Sequence, residues 1–217
     1  VRARARTGRG APARETGAAE ALSALGARRW RRKTMTARRL KMPSVAMLTH
    51  FTRAGKTSSA LDNLVTILRD GVIRGSTRMV REGRAVVCLC DVPIRDLRVL
   101  LDRSNRRRYE PFGIAIEKRY AFRAGARPVI YMPGREAESL LAPGERWRVV
   151  ALELERDAPI DWSYEREWRL AGDLALPAGR AVALVENWRD ADEIYDRFQG
   201  QPPCAGVIPL QELFGTS

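Results

Sequence analysis

The sequence predicts an α+β domain: a mixed, largely antiparallel β-sheet core with a few flanking helices. Three observations lead there. Roughly seven or eight short apolar runs read as strands, and three or four segments carry helical spacing. The two types do not alternate strictly, and the strands cluster in the second half, unlike a chain of βαβ units. At 217 residues the chain is long enough for one domain with a proper core.

The formal net charge of +13 is unevenly distributed. Residues 1–42 hold 13 Arg and Lys against only Glu15 and Glu20, whereas the remainder is nearly balanced. Residues 1–42 are therefore predicted to be a disordered basic arm, because Arg, Ala and Gly bury too little to form a core. Within it, the stretch from Glu15 to Lys33 has the makings of a short helix. A basic arm points to nucleic acid or an anionic surface. The alternative is an incidental leader ahead of Met35 or Met42. Residues 43–217 are predicted to be the single folded domain.

No run approaches the ~20 apolar residues needed to span a bilayer, and no apolar segment follows the basic start as in a secretory signal. The protein is expected to be cytoplasmic and not membrane-bound. The three cysteines, Cys88, Cys90 and Cys204, make no disulfide framework. His50 is the only histidine, nothing has zinc-ligand spacing, and no metal site is expected. Neither Gly-rich phosphate motif occurs, and AGKTS at 54–58 lacks the upstream glycine of one.

In chain order, VAMLTHF at 45–51 reads as the first strand, with His50 near its end and Thr52 just after. Ser58 or Ser59 can cap the next segment, where Leu61, Leu64, Val65 and Leu68 form one helical face. Gly71 is the stop signal, and Val72 and Ile73 begin an extended piece. AVVCLC at 85–90 reads as a buried strand, with Cys88 and Cys90 as small core residues. Pro93 suits the first turn of a short helix through Leu101. A basic loop, 102–111, carries Tyr109. Strands are predicted from Phe112, over 128–132 with Tyr131, and over 146–155, with a loop at 133–144. AVALVEN at 181–187 reads as another strand. Asn187 caps a helix whose inner face is Ala191, Ile194, Tyr195 and Phe198. A strand and a helical turn close the chain.

The stretch WSYEREWRLAG, 162–172, carries the chemistry. If it is extended throughout, Glu165, Glu167 and Arg169 share one face, and Trp168 and Leu170 pack inward from the other. Two carboxylates side by side repel, and an adjacent Arg relieves this and orients one of them. That combination suits a cationic or oxocarbenium-like centre. The same pattern also describes a solvated strand face with a cross-strand ion pair.

Four blocks in order resemble the AbiGi-like abortive-infection family of phage-resistance proteins. They are HFT with the DNLVTILRDG helix (50–71), VVCLCDVPI (86–94), YEPFGIAIEKRYAFRAGARPVIYM (109–132) and YEREWR (164–169). The layout also resembles DarT-like ADP-ribosyltransferases, in which a histidine- or arginine-bearing strand and a helix of this type precede a late-strand glutamate. The resemblance implies a role in phage defence and NAD as a consumed substrate. On that resemblance His50, with Thr52 beside it, contacts the NAD ribose. Tyr109, Phe112 or Tyr131 stacks on nicotinamide. Glu167 bonds the ribose 2′-hydroxyl and stabilises the oxocarbenium ion. Glu165 helps to activate the acceptor, and Arg169 accompanies the carboxylates. The family equally implies a non-catalytic antitoxin with a partner toxin. A nucleophile made from His50 with Cys88 or Cys90 is disfavoured, because a thiol buried in a strand is inert.

Overall fold

The computed structural model describes residues 46–102, 108–177 and 179–214. The chain divides into two units, Val1–Ser44 and Val45–Ser217. The predicted basic arm and its short helix lie outside the described residues.

Seven strands make the main sheet. They are β1 (Met47–Thr52), β3 (Val86–Cys90), β4 (Phe112–Glu117), β5 (Arg127–Pro128), β8 (Glu167–Ala171), β10 (Val182–Val185) and β11 (Gly206–Pro209). Their order is β11-β10-β4-β1-β3-β8-β5. Every pairing in it is antiparallel except β10 with β11, so the sheet is mixed and mostly antiparallel. Two small two-stranded sheets complete the strands: β2 (Val72–Ile73) with β9 (Leu174–Ala175), and β6 (Ile130–Met132) with β7 (Val149–Ala151). The helices are α1 (Ala60–Asp70), α2 (Lys118–Arg123), α3 (Gly134–Leu140), α4 (Trp188–Arg197) and α5 (Gln211–Phe214).

The helix signals work as the residues dictate. Ser59 and Asp62 form a reciprocal capping box on α1, and Gly71 closes that helix in the left-handed region. Asn187 accepts from the Asp190 backbone N–H at the start of α4.

Register divides the main sheet into two faces. The back carries Leu48, Val87, Leu89, Ile114, Ile116, Leu170, Ala183 and Val185. It is sealed by Leu61, Leu64, Val65 and Leu68 of α1 and by Ala191 and Ile194 of α4. The front carries Thr49, Phe51, Cys88, Cys90, Glu167 and Arg169. Ile94, Leu97 and Leu100, from a 3-10 segment at Ile94–Val99 and the residue after it, cover the part around Cys90, Ala115 and Leu184.

Several sequence expectations are corrected. The predicted strand at 128–132 is two short strands in different sheets, broken at Val129, whose N–H turns to the Glu167 carbonyl. The predicted strand at 146–155 shrinks to β7, because Pro143–Arg148 coils into a 3-10 segment. The loop at 133–144 contains α3. Cys88 is not a core residue: it is exposed in the middle of β3, between buried neighbours.

Candidate functional site

The decisive local event lies between the two glutamates. Ser163–Glu165 forms a 3-10 turn, Arg166 adopts a left-handed backbone (φ 48, ψ 50), and β8 starts only at Glu167. The expectation that Glu165, Glu167 and Arg169 share one extended face is therefore corrected. Glu167 and Arg169 do share the front face of β8, but Glu165 reaches the same region from the turn. A non-glycine residue in this conformation is strained by about 1 kcal/mol or more. The strain sets the aim of both carboxylates.

Each carboxylate has its own partners. Glu167 is gripped from one side by Arg169, with Nε to Oε1 at 2.8 Å and Nη2 to Oε2 at 3.4 Å. Arg169 is itself buried, and its Nη1 donates to the carbonyls of Trp147 (2.7 Å) and Val149 (3.3 Å). The guanidinium therefore cannot swing away without orphaning buried groups. The Glu167 backbone N–H donates to the Tyr131 hydroxyl at 2.8 Å.

Glu165 is buried, and Arg108 Nη2 lies 2.8 Å from its Oε1 as an ion-pair contact. Burial raises the Glu165 pKa above the usual carboxylate range; the Tyr109 hydroxyl and Arg108 oppose this, and the Glu167 charge adds to it. Tyr109 is raised in turn, by burial and by the facing Glu165. Two carboxylates two residues apart thus sit in different environments, one clamped by a buried guanidinium and the other buried beside Arg108 and Tyr109 with its pKa raised. Enzymes that need an ionised stabiliser beside an acid or base use that division.

Cys88 is exposed at the centre of an inner strand, so the front face is uncovered there. Burial by neighbouring protein and the Glu167 carboxylate push its thiol up to about 12. Glu167 and Arg169 stand beside it on β8. Phe51 follows on β1, its ring 5.3 Å from Tyr109. A thiol raised that far is no nucleophile at neutral pH.

His50 leaves β1 on the opposite face from Glu167. The recorded register of β1 on β3 is the single pair Thr49↔Cys90. Beyond it the imidazole Nδ1 lies 2.9 Å from the Cys88 carbonyl. His50 and Glu167 are therefore not in contact. They reach the backbone and the thiol of the same residue, Cys88. Burial holds the imidazole below its ordinary pKa, hence neutral at pH 7.

The other expected residues divide. Tyr109 and Tyr131 join the carboxylates. Phe112 pairs with Thr52 and packs into the back core, away from the carboxylates. The Thr52 hydroxyl donates to the Ala60 carbonyl at 2.9 Å and ties β1 to α1. Arg169 holds Glu167 from beneath. Sequence reasoning missed Arg108, Trp162, Phe51 and the openness of Cys88. Only the first two had a signal, in the basic loop before Tyr109 and in the aromatic run WSY.

Among the described residues, no group of three His, Cys, Asp or Glu is placed to hold a metal. No helix among them is long and apolar enough to cross a membrane. Comparison with protein-family models, curated proteins and solved structures gives no match for this chain.

Proposed function

We propose that this protein acts in phage defence of the abortive-infection type, and that its folded domain is an ADP-ribosyltransferase-like enzyme consuming NAD. The observation that carries the reading is the pair of carboxylates, each with its own cationic partner, beside the exposed part of the sheet's front face at Cys88. Losing nicotinamide leaves positive charge on the ribose, and a preorganised carboxylate facing that charge is the largest help a protein can give. Glu167, gripped by Arg169, takes that role. Glu165, buried and paired with Arg108, is the second carboxylate of the site. Tyr109 and Tyr131 supply aromatic surface beside both.

A second reading, a non-catalytic antitoxin that binds a partner toxin, draws on one observation: both carboxylates already have cationic partners. A structural network would look the same. Phage plating on cells making the wild type, Glu167→Gln or no protein separates the two. The enzyme reading expects fewer plaques and a falling NAD pool with the wild type only. Protection that survives Glu167→Gln with the NAD pool intact would favour the antitoxin reading.

A further inference from the structure

Arg108 sits in a setting built for a cation. Its guanidinium lies 3.8 Å over the Trp162 ring centroid, its Nη2 is 2.8 Å from Glu165 Oε1, and its Nε donates to the Tyr109 hydroxyl at 3.3 Å. The three receiving groups come from two separate segments, the end of the basic loop and the turn before β8. Glu165 is buried, whereas the Arg108 side chain keeps about a third of its surface exposed (34 %). The carboxylate is thus more enclosed than the cation that meets it.

We propose that Trp162, Tyr109 and Glu165 form a binding site for a planar organic cation, and that Arg108 fills it in cis until a ligand displaces it. The ligand class follows from the geometry. A stack at 3.8 Å on an indole face selects a flat, delocalised and weakly hydrated cation over an ammonium. A single carboxylate at the edge neutralises one charge. Resting on the function proposed above, the ligand is the positively charged pyridinium ring of oxidised nicotinamide. The site then senses the charge that bond cleavage removes: the ring departs neutral, and Arg108 returns. Arg108 is a positioning and gating residue, since it touches Glu165 and not the reacting bond.

The test uses N-methylnicotinamide, a permanent pyridinium, and neutral nicotinamide of nearly the same shape. Both are titrated calorimetrically at the same mildly alkaline pH. The proteins are the full chain, Arg108→Ala, Arg108→Gln and the double variant Arg108→Ala/Glu165→Gln. The proposal expects either Arg108 variant to bind N-methylnicotinamide about tenfold more tightly than the wild type, an increment of ordinary cation–π size. It expects neutral nicotinamide to gain less than about twofold, and the double variant to lose the gain. Arg108→Gln retains hydrogen-bonding capacity and serves if the alanine variant fails to fold. Equal gains for both ligands, or no gain in a folded variant, would overturn it. NAD turnover plays no part in this readout. Cation binding without turnover would leave the site standing and sink the proposed reaction, and turnover without cation preference would do the reverse.

Discussion

Arg166 is the residue on which the candidate site turns. Its left-handed backbone separates two glutamates that an extended chain would align. Glycine adopts this conformation freely, so Arg166→Gly should be neutral or stabilise by up to about 1 kcal/mol, the lost 3.9 Å contact to Asp91 being long and made by an exposed Arg166 side chain. Arg166→Val should cost about 1–3 kcal/mol, because a β-branched residue resists this region. Urea denaturation of both variants measures this, and the opposite order would remove strain from the account. Glu165 carries a pH signature of its own. Its folded pKa is raised, so the native state holds the proton more tightly than the unfolded state does. The contribution of this group to stability is therefore full at low pH. It is lost as pH rises from the ordinary carboxylate range through the raised folded value. Lowered carboxyls such as Asp62, at about 2, run the other way, so the comparison must be a difference. Wild type minus Glu165→Gln stability should fall with rising pH across that window, and a flat difference would contradict the raised pKa.

At the scale of elements, β1, β3, β4 and α1 make the frame beside the β8 carboxylate. Gly113 of β4 lies against β1 so closely that an added Cβ would stand 2.4 Å from the His50 carbonyl oxygen. Gly113→Ala should force the strands apart and cost about 1–3 kcal/mol. Ser59→Ala removes half of the α1 capping box and should cost about 1 kcal/mol. Cys88 behaves differently. Its side chain is exposed, so Cys88→Leu should leave thermal stability nearly unchanged while adding bulk beside Glu167 and Arg169. A wild-type melting temperature with loss of NAD binding is the expected pair of results. Intact NAD binding in that variant would place the ligand elsewhere.

For the whole molecule, the periodic elements were legible and the site geometry was only half so. α1 and α4 could be read because their caps, apolar faces and stops all agree locally. β1, β3, β4 and β10 could be read as apolar runs. The break at Val129 could not, since it answers to a hydrogen bond with Glu167 38 residues away in sequence. β5 and β9 are two residues each and carry no periodicity. Glu165 and Glu167 were legible as a pair from composition and spacing. Their different environments were not, because Arg108, Trp147 and Tyr131 come from remote segments. The exposure of Cys88 ran against its apolar neighbours for the same reason: coverage of a sheet face is decided by what packs on it, not by the strand itself.

The central claim is that the Glu165–Glu167 region consumes NAD, and the most direct measurement is nicotinamide release from NAD by the purified full chain. Wild type, Glu167→Gln and Cys88→Leu would be compared, each checked by thermal denaturation. The account predicts release by the wild type, a loss of at least about a hundredfold in folded Glu167→Gln, and a similar loss in folded Cys88→Leu. Release that is undiminished in folded Glu167→Gln, or none from the wild type, would contradict it.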